Sequence, residues 1–514
     1  MKKLSFLTRT SLMLGFFFAL DKILAFARSI IIARQFSLSF ELDAFNVANN
    51  LPDLLFALIS GGALAMAFMP VLIQAMSLGG RQAAWALFSR VANLAFVSTA
   101  GLAVIIAAFA EQIVRSQIGI APGFGVDQQR LIADLMRLNL IATCIFSLSG
   151  LVMASLQANQ HFLLPALAPT LYNLGQIFGA LVLSPKEAYT IGPITLPHFG
   201  LGVHGLVYGV ILGAALHLAV QIPGLVRYGF RWTPSFDLRD PGLMEVFKVV
   251  GPRLLTMLLI QLMFVARDNF ASRLGQVGAI SSLTYGWMIM QVPETLIGTA
   301  IATAMLPTLS GYAARADWAV FRRTIEKAVR ILLALTLPAA AILAVGLRPL
   351  VQFAFRFDVA GTNMLTWTAR VYLLTLTGYA IQEIMARSFY ARKEAWWPFY
   401  AVTIRMAIYL AIGVTVIRFF RRAGAPGIAL AELALTAEAV IMFIWLNHRL
   451  PERITAGMSL LRGAVGALIG GAAAYVLVVA IPGAAVPTAL IGMTCGGLLT
   501  LPFIWKELRL LLDL

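Results

Sequence analysis

Charge is scarce in this chain: 12% of its 514 residues are Asp, Glu, Lys or Arg, and 60% are hydrophobic. Soluble domains carry about 25% charged and 45–50% apolar residues. Two or three soluble domains cannot hide that excess of apolar surface, whereas a bilayer can. Cysteine is nearly absent. Cys144 and Cys495 lie far apart in apolar stretches, which leaves no disulfide framework and no CxxC metal pattern. The five histidines, His161, His198, His204, His217 and His448, lack metal-ligand spacing to one another. No P-loop, HExxH or GxSxG occurs. The expectation is a chain with no catalytic residue, no metal and no cofactor, that is, not an enzyme. Energy for transport must then come from an ion gradient, the membrane potential or the substrate gradient.

What is abundant is the apolar run. A helix needs about 20 apolar residues to span the hydrocarbon core. Runs of that kind fall near 10–34, 44–75, 86–113, 130–157, 162–184, 202–226 and 242–271, then near 279–311, 324–347, 362–390, 396–419, 425–447, 459–481 and 486–508. The fold class is therefore all-α, a polytopic membrane protein of about fourteen helices. The linkers are short, so no soluble domain is inserted. The first run resembles a secretory signal, with Lys2, Lys3 and an Ala25-Phe26-Ala27 cleavage-like triplet. It is too long for one, and Asp21, Lys22 and Arg28 are unlike one, so it reads as the first membrane helix.

The formal net charge is +16. In a soluble protein this would raise nucleic acid as a partner, but no solvated basic domain exists to carry it. The basic residues instead report topology. With the N-terminus in the cytoplasm, the cytoplasmic turns hold Arg315, Arg322, Arg323 and Lys327 in one place and Arg449 and Arg453 in another. The opposite turns hold fewer, among them Arg34, Arg115, Arg273 and Arg418. That is the positive-inside bias. An even helix count puts both termini in the cytoplasm, with the chain in a bacterial inner membrane.

The two halves of the chain repeat one another. Residues 51–72, LPDLLFALISGGALAMAFMPVL, align with 292–309, VPETLIGTAIATAMLPTL. Both place Pro-acid early (Pro52-Asp53, Pro293-Glu294) and close on a second proline, Pro70 or Pro307. Ser155, Ala158 and Pro165 share the spacing of Ser388, Ala391 and Pro398, and Gly202-x-x-Gly205 that of Gly424-x-x-Gly427. The order predicts two six-helix lobes, 1–230 and 231–450, with helices 13 and 14 (451–514) added. Six helices per copy put the pseudo-twofold axis along the membrane normal, which suits rocking, alternating-access transport.

Charges inside the spans are expensive, at least about 2.5–3.5 kcal/mol each on insertion scales, and usually face a bundle interior or a wet cavity. Helix 1 carries Asp21, Lys22 and Arg28; Asp43 opens helix 2, and Asp53 follows three turns on. Helix 7 carries Arg253, Arg267 and Asp268. Glu432 and Glu438 lie in helix 12. The functional reading is a polar cavity with Lys22, Arg28, Arg253 and Arg267 facing an anionic substrate, since arginine binds phosphate bidentately. The structural reading is internal ion pairing, as between Asp21 and Lys22 or Arg28. Arg267 and Asp268 are expected to diverge by about 100° around the helix. Asp237 and Asp240, the nearest thing to an acidic cluster beside a loop, read as a solvated turn rather than as glycosyltransferase chemistry.

Several segments resemble the MurJ/MviN family of the multidrug/oligosaccharidyl-lipid/polysaccharide exporter superfamily. They are KILAFARSIIIARQF (22–36), LDAFNVANNLPDLL (42–55), GGALAMAFMPVL (61–72), LPALAPTLYN (164–173), VGPRLL (250–255), FASRLG (270–275) and TYGWMIMQVPETLIGTAIATAMLPTLS (284–310). The resemblance implies a flippase for lipid II, the undecaprenyl-pyrophosphate-linked peptidoglycan precursor. It implies a cationic central cavity that takes the pyrophosphate and sugars, a lipid-tail groove formed with helices 13 and 14, membrane lipids as neighbours and a functional monomer. Carried over, Lys22 stands for a usual Arg, Arg28 and Asp43 match a usual Arg and Asp, and Asp53 stands where Asn is common. Phe56, Gly61 and Met288 depart from the pattern, replacing an Arg, a Glu and an Arg. Arg253 or Arg267 then becomes the candidate replacement cation. The alternatives are a flippase for another polyprenyl-linked oligosaccharide, or a cation-coupled drug exporter.

Overall fold

In lipid a backbone must satisfy its own N–H and C=O groups, and a helix does so within one segment. The computed structural model is accordingly helical almost throughout. It describes the backbone of 6–60, 62–235, 241–481 and 483–511, and the side chains of these except 6–12, 59–60, 62–67, 70, 191, 194 and 241–253. Strand structure among the described residues is one hairpin, Thr190–Ile191 paired with Ile194–Thr195.

The chain divides into two compact units, 1–269 and 270–514. The first holds α1 (Phe6–Phe36), α2 (Phe40–Ala48), α3 (Asn50–Leu55), α4 (Gly62–Ala108), α5 (Ala110–Arg115), α6 (Val126–Ala158), α7 (Leu163–Phe178), α8 (Val203–Ala219), α9 (Ile222–Arg227) and most of α10 (Pro241–Ser272). The second holds α11 (Ala279–Glu294), α12 (Ala300–Ala314), α13 (Trp318–Phe355), α14 (Val359–Leu373), α15 (Leu376–Ala391), α16 (Trp396–Phe419), α17 (Gly424–Ala429), α18 (Leu433–Asn447), α19 (Gly457–Ala480) and α20 (Ala485–Leu510). The lobe boundary expected at 230/231 and this division differ by the one helix α10. Its C-terminal end is tied into the first unit. Asp268 accepts from Asn50 Nδ2 at 2.8 Å, and Asn269 Nδ2 donates to the carbonyls of Gln117 (3.1 Å) and Gly119 (2.5 Å).

Eleven helical stretches among the described residues are long and apolar enough to cross a membrane. Two other expected spans fail that test for visible reasons: the first carries Asp21, Lys22 and Arg28, and the tenth is split into α14 and α15 at Leu374-Thr375. The second, near 44–75, runs through residues outside those described. Helix α4 joins two crossings: Gly80 sits at φ 70°, ψ −174°, a left-handed corner that favours glycine.

The internal repeat recurs in the backbone. α3 is followed by a π-helical segment, Phe56–Ser60, before α4, and α11 by Thr295–Thr299 before α12. Pro52 and Pro293 donate no N–H to the preceding turn, and a widened π register accommodates such a gap.

Small residues draw the helices together. A Cβ on Gly175 would lie 2.4 Å from the Cα of Gly213, and one on Gly179 2.6 Å from the Cα of Gly209, so α7 and α8 meet backbone to backbone. α19 and α20 meet the same way, Gly496 against the Gly470 carbonyl, and both pack on α13. Buried Glu507 of α20 accepts from Ser459 Oγ (2.9 Å) and Arg462 (2.8 Å) of α19, with Arg330 of α13 at 3.8 Å. The last two helices thus belong to the second unit.

Candidate functional site

Five segments of the first unit each turn one helical stripe toward a common space of about 530 Å³. From α1 come Asp21, Ala25 and Arg28, at i, i+4 and i+7. The stretch through α3 gives Asn49, Pro52, Asp53 and Phe56; α6 gives Asn139, Thr143 and Phe146; α7 gives Pro169, Tyr172 and Asn173; α8 gives Val210 and His217. That volume lies within the range of about 300–1,000 Å³ usual for small-molecule sites.

Asn173 is the hinge of the polar side. Arg28 Nη1 donates to its Oδ1 at 3.0 Å, and its Nδ2 donates to Asp21 Oδ1 at 2.8 Å. A neutral amide therefore stands between the guanidinium and the Asp21 carboxylate. Asp53 lies within electrostatic range of Arg28 and Tyr172, and no hydrogen bond to its carboxylate occurs among the described residues. On the adjoining wall, Asn139 Nδ2 donates to Asn49 Oδ1 at 2.8 Å. Asn139 is 1% exposed, yet its own Oδ1 accepts no hydrogen bond among the described residues. A buried acceptor left unmade costs about 1–3 kcal/mol.

The other side is aromatic. Phe146 packs edge-on against Phe56, Tyr172 and His217, with ring centroids 5.2, 5.1 and 5.3 Å away. His217 is fixed in turn by Ser149, its Nδ1 2.6 Å from Oγ, while Gln221 Nε2 donates to that Oγ at 2.9 Å.

The expected site residues separate. Arg28 and Asp53 line the space. Lys22, about 100° around α1 from Asp21, points elsewhere: it is exposed, with its ammonium 5.3 Å from the Phe18 ring. Asp43 is 1% exposed in the first turn of α2, whose Ser39 cap accepts from Leu42 N at 3.2 Å. Arg267 does not diverge from Asp268; its Nε donates to Asp268 Oδ1 at 2.8 Å, with the guanidinium 5.2 Å from the Phe264 ring. A long side chain can curl back across the helix surface, which backbone angles alone do not forecast. The side chain of Arg253, with Gly61, Asp237 and Asp240, lies outside the described residues.

Glu432 and Glu438 pair with one cation in the second unit. Buried Arg405 of α16 bonds Glu432 closely and Glu438 at 3.2 Å, and Gln382 Nε2 donates to Glu438 at 3.2 Å. The residues that sequence reasoning passed over are Asn49, Asn139, Phe146, Tyr172 and Asn173. Two signals were available: Asn49 precedes the Pro-acid motif, and Tyr172-Asn173 close LPALAPTLYN.

Among solved structures, the fold resembles a lipid II flippase MurJ in an inward closed conformation, with TM-score 0.79 and 22% identity, over 98% of this chain and 100% of that one. It also resembles an inward-facing multidrug resistance MATE family transporter, with TM-score 0.67 and 15% identity, over 84% and 94%. At these identities the likeness shows the fold. By sequence, the chain is 29% identical to the lipid II flippase MurJ of Burkholderia cenocepacia, over 86% of this chain and 84% of that protein. It is 27% identical to the probable lipid II flippase MurJ of Rhizobium meliloti, over 83% and 79%. The family model "Lipid II flippase MurJ" matches residues 32–493, a continuous run from the end of α1 into α20. A match of that length settles the membership: the chain belongs to the lipid II flippase MurJ family.

Proposed function

We propose that this chain flips lipid II across the bacterial inner membrane by alternating access. The observation that carries the reading is the family match, which runs unbroken through nearly every span. The geometry supports it: a polar cavity of about 530 Å³ opens among membrane-spanning helices, where an intramembrane charge is costly unless it serves a ligand or pathway. Arg28 and Asp53 are the residues we place against substrate. Both termini face the cytoplasm, the basic turns holding that orientation. The chain works as a monomer, without a cofactor, and the Pro52 and Pro293 segments supply the bends.

A second reading, another polyprenyl-linked oligosaccharide as substrate, is favoured by Phe56, which lines the cavity where the family often has arginine. A cation-coupled drug exporter has only the fold likeness behind it. Expression in cells depleted of their own lipid II flippase separates these readings. Rescue of growth is expected. Well-expressed, membrane-inserted protein that fails to rescue sinks the lipid II reading.

A further inference from the structure

In the orientation proposed above, the outer turns of the two units differ in charge balance. The first unit pairs its cations there: Arg115 meets Glu111 at 3.0 Å, Arg137 meets Asp134 at 2.7 Å, and Arg130 lies 4.0 Å from Asp127. The second unit lacks the acids to do so. Its outer turns carry Arg273, Arg348, Arg356, Arg418, Arg421 and Arg422 against Asp358, whose carboxylate caps α14 by accepting from Gly361 N at 2.9 Å. No Asp or Glu occurs between Asp268 and Glu294, or between Glu394 and Glu432. This excess opposes the positive-inside bias, so topology does not account for it.

Four of the arginines line two adjacent clefts. α16 ends at Phe419, and the short 3-10 turn Arg421–Ala423 leads into α17. Gly275 at φ 69° and Gly424 at φ 60° turn the chain in the left-handed region that favours glycine. Gln276 Oε1 accepts from Ala425 N at 3.1 Å, which fastens the turn after α10 to the start of α17. Phe270 seats its ring on Gly413, where any Cβ would collide with it. One cleft, of about 730 Å³, is lined by Phe270, Arg273, Ile417, Arg418 and Phe419. The other, of about 520 Å³, shares Arg418 and Phe419 and adds Phe420, Arg421 and Arg422. Phe419 and Phe420 are 72% and 61% exposed. Bare rings at the end of a membrane helix set the clefts where acyl chains meet headgroups. Guanidiniums take phosphate oxygens in pairs.

We infer that these clefts are an exit site on the outer face of the second unit, binding the pyrophosphate of the flipped lipid through Arg418, Arg421 and Arg422. The site's occupant rests on the flippase reading; its pyrophosphate chemistry does not. The phosphodiester of an ordinary phospholipid offers a single charge, whereas a pyrophosphate offers at least two, on oxygens that several forks can share. Arg418, Arg421 and Arg422 are exposed, lie within one turn of chain, and form no ion pair among the described residues. The first unit's cavity presents only Arg28, already bonded to Asn173. Held at the outer site, the headgroup stays outside while the cavity resets.

The test uses the purified full-length chain in discs of phosphatidylcholine, with Arg28→Ala in place so that the cavity's cation does not contribute. Farnesyl pyrophosphate binds this chain, and farnesyl monophosphate binds at least about fivefold more weakly. Adding Arg418→Gln, Arg421→Gln and Arg422→Gln weakens pyrophosphate binding at least about tenfold, at unchanged melting temperature. Replacing about a fifth of the disc lipid with phosphatidylglycerol shifts the affinity by less than about twofold. With Arg28 intact, the three glutamines slow rescue of flippase-depleted cells. Equal pyrophosphate affinity before and after the three substitutions overturns the site and leaves the flippase reading standing. Displacement by phosphatidylglycerol, or equal binding of the monophosphate, assigns the clefts to ordinary phospholipid and overturns the pyrophosphate. Binding lost in the glutamine variant, with rescue at the wild-type rate, overturns the exit role. Binding lost in that variant, while the wild-type chain itself fails to rescue, upholds a pyrophosphate site and overturns the flipped lipid as its occupant.

Discussion

The two Pro-acid segments share a backbone and differ in chemistry. Both run helix, π-helical segment, helix. In the first unit, Asp53 opens onto a cavity, and its carboxylate has no hydrogen-bond partner among the described residues. In the second, Glu294 is 2% exposed and takes Thr299 Oγ1 at 2.8 Å and Thr295 Oγ1 at 3.5 Å. The units' arginines differ in the same way: Arg28 is held by a neutral amide, Arg405 by two carboxylates. A duplication preserves the path of the chain more readily than the use made of it. The first copy turns its acid toward a space; the second satisfies its acid at the threonines of the following turn.

The largest effect on stability belongs to the second unit. Arg405→Met strands Glu432 and Glu438 in the interior, and breaking a buried pair costs about 3–5 kcal/mol. We expect the variant to accumulate poorly and melt far below wild type in detergent. Adding Glu432→Gln and Glu438→Gln to it should recover most of the loss. Arg405→Met melting like wild type would erase the distinction between the two arginines.

The matched acids come next. Glu294→Leu leaves the half-buried Thr299 hydroxyl without its acceptor, a loss of about 0.5–1.5 kcal/mol. Asp53→Ala abandons no hydrogen bond among the described residues and should shift stability by under about 0.5 kcal/mol. In a complementation assay the order reverses: Asp53→Ala impairs rescue, whereas Glu294→Leu acts through protein abundance alone. Thermal melting and immunoblotted rescue strains check both. Rescue by Asp53→Ala at wild-type level would leave the cavity aspartate without a role.

Much of this was legible in the sequence, in proportion to how local the cause was. Fourteen spans follow from hydropathy, because lipid leaves the backbone few choices. Two that fail a test of length and charge, 6–36 and 359–391, are those where charge or a broken helix interrupts the run. Arg28 was legible as a buried cation, since Asp21, Ala25 and Arg28 follow the helical period. Its partner was not: Asn173 lies 145 residues away on α7, and the glycines that bring helices to close contact reveal no register. Phe56 stood out as a departure, but Phe146, which gives it meaning, is another long-range neighbour. Arg267 and Asp268 were misjudged because helix angles describe where a side chain starts, not where its far end lies.

The sharpest comparison is Arg28→Ala. Its recorded partner is an amide that has other bonds, to Asp21 Oδ1 at 2.8 Å and the Pro169 carbonyl at 3.3 Å. Losing one hydrogen bond of this kind costs about 0.5–1.5 kcal/mol, well below the cost at Arg405. The protein should therefore accumulate and melt near wild type, while rescue of flippase-depleted cells is lost. Arg28→Lys keeps the charge but not the planar fork, and should rescue partially. If Arg28→Ala fails to accumulate instead, the first unit's arginine is structural like Arg405. The contrast between an open and a closed copy of the repeat would then fall with it.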